Sequence, residues 1–452
     1  MVPSFGIAPT STPTPARVQS ARTAMLVTFG LLGVLMTTFL SRMPTLRDLL
    51  VVDPAGLATL LLFGALGALA ALMVAGWASA RFGARALLWW SSIGSMFALI
   101  GVGLASATGS QILFATAYFF VSLTYAFSNV PANAEAAEIE RLVGRSIMSQ
   151  FHAGFSVGMG VGLAIGALAS HFGVSPAWHF SAVAAIAAVI RLSLIPMAVI
   201  DGTPDARVAG KSLGGPFATA GVEYRNRRVL LIGAIVFAAS MTEMIAAQWL
   251  SLSVVDDFGK REAMGDIIYW IFVVAMFTVR LNGAAVIDRL GRVVTLRAGT
   301  AFVVAGVALF AFTPTFWMVP LAVILWGIGA ALNFPIGFSA AADDPRFAAA
   351  RVAAVASFST VAGLMVPPAI GRLATSDFIS LRHAMLLVMV GSIAIFTLAR
   401  SVRSENRIFR SRKADANVVG SATLNRKRKE PVGDPADVID AAGQAFPMHQ
   451  QE

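Results

Sequence analysis

The stretches "ARFGAR" (residues 80–85) and "DRLGRV" (residues 288–293) are two versions of one loop. The first sets Gly83 between Arg81 and Arg85; the second sets Gly291 between Arg289 and Arg292, with Asp288 in front. Gly83 and Gly291 stand 208 residues apart, and a second matching pair, "NVP" (129–131) and "NFP" (333–335), is offset by 204. Two independent matches at nearly one offset mark an internal duplication.

Hydropathy says what was duplicated. The chain has 452 residues, 57% hydrophobic and 13% charged, and its mean hydropathy is +0.75. Soluble domains carry about a quarter charged residues. Apolar runs of roughly 20 residues recur, each long enough to cross a hydrocarbon core of about 30 Å. They lie near 22–43, 57–79, 86–105, 111–134, 147–170 and 177–200, then near 229–251, 266–287, 293–312, 317–340, 351–373 and 381–400. We number them spans 1 to 12. The longest polar break among them, residues 201–228, divides an N-terminal six-helix bundle (22–200) from a C-terminal one (229–400). The expected class is an all-α membrane protein with twelve transmembrane helices in two pseudo-symmetric bundles.

The ends read differently. Residues 1–21 begin with a Pro, Ser and Thr mixture lacking the charged and apolar regions of a cleaved signal, so a disordered lead is expected. Residues 401–452 carry "RSRK" and "RKRKE" without apolar periodicity, which predicts a disordered basic tail. If both termini are cytoplasmic, the cytoplasmic segments hold 26 of the 34 Lys and Arg residues and the outer loops six. The positive-inside rule therefore puts both ends in the cytoplasm. A net charge of +10 concentrated in loops and tail points to anionic lipid, not nucleic acid. With no cysteine, structural disulfides and thiolate metal sites are excluded.

"GWASARFGAR" (76–85) and "GAAVIDRLGR" (283–292) resemble two copies of the loop signature G-x-x-x-D-R-x-G-R-R of the major facilitator superfamily. Ala284 stands where the second copy's glycine belongs, and Ala80 where the first copy's Asp belongs. "AEIERLVGRSIMSQFHAGFSVG", "TEMIAAQW" and "ALNFPIGFSAA" look like the branch near fucose permease and its inner-membrane relatives. The resemblance covers about residues 22–400. It implies two bundles that rock around a central cavity lined by spans 1, 4, 7 and 10, in the inner membrane.

Gating is expected at the duplicated loop. Gly83 and Gly291 allow tight turns, and Arg81, Arg85, Asp288, Arg289 and Arg292 can cap helices or pair across loops. Ala80 removes one acid, so the gate should rely on Asp288. In span 4, Asn129 and Asn133 are four residues apart and share a helical face; Pro131 between them favours a kink. Asn333 and Pro335 repeat the pattern in span 10. The asparagines would line the cavity, with Glu135, Glu138 and Glu140 at its mouth or solvated in the loop.

Polar residues without a counterpart in the other half are better candidates for solute or proton chemistry, because charge at membrane depth is costly and usually functional. Glu243 in span 7 has none, and a lone carboxylate there can hold and release a proton. Gln248 and Trp249 follow; Trp249 could stack on a sugar ring or belong to an interfacial belt. Arg280 in span 8 is a second charge at depth. Residue counts along straight helices leave it roughly 10 Å from Glu243 in depth, so no salt bridge is expected. Arg42, at the outer end of span 1, could bind an anionic group, form an outer gate or snorkel. His152 could relay protons or be satisfied between helices.

The expected function is a secondary transporter moving a small polar, sugar-like solute by alternating access, driven by protons, without an enzymatic activity. No G-x-x-x-x-G-K-[ST] motif is present, and no metal or other cofactor is expected. The partners are a small-molecule substrate, protons and membrane lipid, and the unit a monomer. Export of drugs or metabolites is the alternative, and a membrane receptor or membrane-embedded enzyme the rival class.

Overall fold

A computed structural model describes residues 13–144, 147–200, 223–344, 347–375 and 379–403. Residues 1–12 of the lead, 201–222 of the connector and 404–452 of the tail lie outside the described residues. Twelve helical stretches among the described residues are long and apolar enough to cross a membrane. Helices are what such a sequence must form, since a bilayer core offers backbone groups no water to bond with.

Spans 1 to 6 are the helices Pro15–Leu40, Pro54–Phe82, Ala84–Ala107, Gln111–Val143, Met148–His171 and Pro176–Ala198. Span 7 is Arg227–Phe258 and span 8 Glu262–Leu281. Span 9 lies within Gly283–Phe312, span 10 comprises Val319–Ala330 and Asn333–Ala341, and span 11 is Ala348–Ala374. Span 12 is broken into Leu381–Ala384 and Leu387–Leu398. We call the face where span 1 begins the terminal face and the opposite one the distal face. A short helix, Met43–Leu50, joins spans 1 and 2 on the distal face.

Span 1 starts seven residues earlier than hydropathy suggests. Thr14 accepts a hydrogen bond from the Arg17 amide at 3.3 Å and Pro15 opens the first turn, a cap-and-proline start that a hydropathy window does not register. Arg17 then donates to the carbonyls of Pro196 and Val199 at 3.1 and 2.7 Å, tying the start of span 1 to the end of span 6.

The duplication is plain in the packing. Spans 1 and 5, 1 and 6, 2 and 4, 3 and 4, and 3 and 6 pack together. So do their equivalents 7 and 11, 7 and 12, 8 and 10, 9 and 10, and 9 and 12. The halves meet where span 2 packs on 11 and span 5 on 8, a pair that exchanges under the same operation. The loops match in detail: Gly83 has φ 85° and ψ 153°, Gly291 φ 76° and ψ 156°. Side chains avoid that positive-φ region, which is why each repeat keeps its glycine.

Small residues set how closely the helices approach. A Cβ on Gly158 of span 5 would lie 1.8 Å from the Gly30 carbonyl oxygen of span 1. Gly154, Gly158, Gly162 and Gly166 repeat every four residues along that face, the small-residue pattern by which membrane helices bring backbones together.

Candidate functional site

The chemistry at depth collects around a break in span 10. Pro335 has no N–H, so the carbonyl four residues earlier, on Ala331, loses its helical partner. The helix stops at Ala330 and restarts at Asn333. A buried free carbonyl needs a donor, and Arg280 supplies it: its Nε donates to the Ala331 oxygen at 2.9 Å. Arg280 sits in the last turn of span 8, where the helix dipole favours a cation. Its Nη2 donates to Glu243 Oε1 at 2.6 Å. The ion pair that straight-helix counting did not predict therefore forms. Span 8 breaks at Asn282 (φ −100°, ψ 7°) and a new helix begins at Gly283, so position along the chain does not translate into depth.

The pair is partly open, with side-chain exposures of 26% for Glu243 and 29% for Arg280. Three residues before Glu243 on the same face, Ser240 donates to Ser359 Oγ of span 11 at 2.8 Å. His152 of span 5 has an exposed side chain, lies edge-on to Phe29, and is close enough to Arg280 for their charges to interact. Spans 5, 7, 8 and 10 thus all contribute to one polar region.

The other expected cavity residues divide. Asn129 and Asn133 share a face, as spacing predicts: Asn133 Nδ2 donates to the Asn129 carbonyl at 2.8 Å and to its Oδ1 at 3.0 Å. Gln248 is half-buried and its Oε1 has no partner among the described residues. Trp249 is wholly buried. Asn333 is buried as well. It is 2% exposed and turned toward Gly299 of span 9, because the break at Ala331 and Leu332 rotates its helix.

On the terminal face, Asp288, Arg81 and Arg289 are exposed, and Arg81 lies over the Phe82 ring. The acid that gathers charge in the second half is Asp343, not Asp288. Arg292 Nη1 donates to both its oxygens at 2.8 and 3.0 Å, and Arg228 Nη2 donates to Oδ2 at 2.8 Å. Asp343 thereby joins the start of span 7, the start of span 9 and the end of span 10. Glu135 stands 208 residues before it, the glycine-loop offset. It is buried and accepts from the Ile200 amide at 3.3 Å. Arg85 is half-buried. Glu138 pairs with Arg141, and Glu140 Oε2 accepts the amides of Ile147 and Met148 at 2.6 Å, capping span 5.

On the distal face the halves are fastened together. Arg42 is 3% exposed and pairs through Nε with Glu262 Oε2 at 3.1 Å. Glu262 also accepts from Ser170 Oγ at 2.7 Å and from the Thr45 amide at 2.9 Å. Arg47 pairs with Asp256 in the same region. Arg42 and Arg47 belong to the first half, Glu262 and Asp256 to the second, so these contacts close the distal side.

One residue that the sequence reading did not single out is Arg191 of span 6, which is 1% exposed. Its Nη2 donates to Ser128 Oγ at 2.6 Å and its Nη1 reaches Ser95 Oγ at 3.4 Å, linking spans 3, 4 and 6.

A two-fold repeat of six spans, charge at depth and a closed distal side describe a membrane carrier. A family model of the Major Facilitator Superfamily matches residues 145–367. An uncharacterised transporter of Sinorhizobium fredii (y4wD) is 29% identical over 81% of this chain and 94% of its own length. The chain is similar to transporters of the major facilitator superfamily. Membrane protein MosC of Rhizobium meliloti is 25% identical, across 82% of this chain and 88% of its own. Among solved superfamily structures, a point mutant of the nucleoside transporter NupG superposes with a TM-score of 0.68 at 17% identity, covering 85% of this chain and 99% of that one. A D-xylose-proton symporter gives 0.64 at 12%, covering 84% and 96%. These likenesses establish the superfamily fold, and the chain is a membrane transporter without enzymatic activity.

Proposed function

We propose that this transporter carries a small polar, sugar-like solute by alternating access and couples it to protons through Glu243. The observation that carries the reading is the Glu243–Arg280 pair, with Arg280 tied to a backbone carbonyl on one side and to a titratable acid on the other. Protonating Glu243 removes the charge that holds Nη2, freeing that donor for a solute hydroxyl. Solute binding and protonation then favour each other. Asn129, Asn133 and Gln248 supply neutral donors and acceptors suited to a polyhydroxylated ligand. The solutes named for two structural neighbours, a nucleoside and D-xylose, are of that chemistry. Both termini are assigned to the cytoplasm of the inner membrane on the charge asymmetry of the loops. The duplicated loop, with Arg81, Arg85, Asp288, Arg289 and Arg292, is assigned to the gate on that side.

A thermal-shift screen of purified protein against sugars, nucleosides, organic acids and amino acids identifies the solute. Glu243→Gln, which mimics the protonated side chain, should then retain solute counterflow in proteoliposomes and lose accumulation driven by a pH gradient. Undiminished accumulation by the Gln variant would remove Glu243 from the coupling role.

A further inference from the structure

The distal closure contains a second carboxylate that the transport reading does not use. Asp266 of span 8 is fully buried. It receives one long hydrogen bond, from Ser251 Oγ of span 7 at 3.2 Å, and its Oδ2 has no partner among the described residues. That oxygen faces the other half: a Cβ on Gly166 of span 5 would lie 3.6 Å from it. One helical turn earlier on the same face is Glu262, which takes Arg42, Ser170 and the Thr45 amide.

The two acids therefore sit side by side in opposite environments. Glu262 has a guanidinium and two further donors to stabilise a negative charge. Asp266 has a single hydroxyl and an ionised neighbour. The other charged and titratable groups nearby do not change this. Arg42 is committed to Glu262 and to the Val174 carbonyl. His179 of span 6 is close enough to Arg42 for their charges to interact, with neither ring nitrogen partnered among the described residues. Asp256 of span 7 is engaged by Arg47, and Asp257 accepts from Ser253 and the Arg382 amide. On span 5, His171 is exposed near the distal end and His152 belongs to the Glu243 region. Span 10 brings no titratable side chain. An ionised carboxylate buried with so little compensation is strongly disfavoured, and pairs of acids in unlike environments divide into one ionised and one protonated member.

We propose that Asp266 is a proton-binding site of the distal gate, protonated while the gate is closed and exchanging that proton with distal water when it opens. On closing, one Asp266 oxygen gains a proton from that water; on opening it returns it, and no other bond changes. The proton is not carried across the membrane. Its effect is to make the closed state favoured by an acidic distal medium, so that distal opening requires deprotonation. The inference rests on the transporter reading for the existence of a gate, but not on Glu243 as the coupling residue.

The absence of cysteines allows a direct test. Spin labels at Val51→Cys and Trp317→Cys, both exposed on the distal face in opposite halves, report gate opening by pulsed electron resonance on the full chain in nanodiscs, with no solute needed. With a single linked proton, the ratio of open to closed molecules should rise by up to about tenfold per pH unit through the titration. Asp266→Asn, isosteric with the protonated acid, should hold the short distance at every pH. Asp266→Glu should retain a pH response, showing that the acid and not its packing matters. Glu243→Gln should leave the distal response intact, even if its transport phenotype is other than expected. A wild-type pH response in Asp266→Asn would overturn the proposal. So would a shift of the wild-type distances by sodium at constant pH, which would make the site one for a metal cation.

Discussion

Arg191 and Arg280 are both arginines at membrane depth, one in each half, held by opposite means. Arg191 is 1% exposed and its acceptors are the hydroxyls of Ser128 and Ser95. Arg280 is 29% exposed at its side chain and bonds a carboxylate. A hydroxyl does not change charge at physiological pH, so Arg191 is a fixed fastening between spans 3, 4 and 6. A carboxylate can, so Arg280 can be held or released. The scaffold was duplicated, whereas the Glu243–Arg280 contact has no counterpart at the equivalent place in the first half among the described residues. The two halves therefore have different duties despite one packing plan.

The comparison breaks most readily at Arg280. Arg280→Met strands Glu243 without a cation. Removing one partner of a fully buried pair costs about 3–5 kcal/mol, and the partial exposure of this pair places the expected loss below that range. Thermal unfolding should fall by several degrees and solute accumulation should vanish. Adding Glu243→Gln should recover most of the stability but not the transport. Failure of that rescue would mean the destabilisation arises elsewhere.

A smaller effect is expected on the terminal face. Asp343→Asn weakens charge-assisted bonds from Arg292 and Arg228 together, a loss of about 1–3 kcal/mol, whereas Asp288→Asn, at an exposed side chain, should stay within about 0.5 kcal/mol. Paired unfolding curves would show which acid organises that face; equal losses would put Asp288 back in that position.

The mildest outcome is expected at Arg191. Replacing a buried ion with an apolar side chain of similar volume is often neutral or stabilising, and Ser128 keeps its bond to Ser91. Arg191→Met should thus retain both fold and accumulation, measured by unfolding temperature and pH-driven uptake. Loss of uptake with the fold intact would give both halves a functional arginine and end the asymmetry argued above.

These contrasts also mark what could be read from the chain. Twelve spans and their duplication were legible because hydropathy, loop charge and the Gly83 and Gly291 turns are local properties. Glu243 was legible because an acid inside an apolar run is too costly to sit there for packing alone. Asp343, Glu262 and Asp266 were not, since acids near span ends look like ordinary solvated loop residues until packing encloses them. The breaks at Asn282 and Ala331 escaped too, and with them the depth of Arg280 and the direction of Asn333. Proline at 335 announced a kink but not who would take the freed carbonyl.

That carbonyl has a consequence for how the site tolerates sequence drift. Every amino acid carries the same backbone oxygen, so substitutions at position 331 leave the acceptor in place as long as they fit the packing. The anchor is encoded instead four residues downstream, by an imino acid whose own side chain is exposed and bonds neither charge. Pro335→Ala would hand the Ala331 oxygen back to the helix and leave Arg280 with Glu243 alone. Genetic screens for impaired transport should therefore recover changes at Pro335 among those at Glu243 and Arg280, while position 331 stays permissive to other small residues.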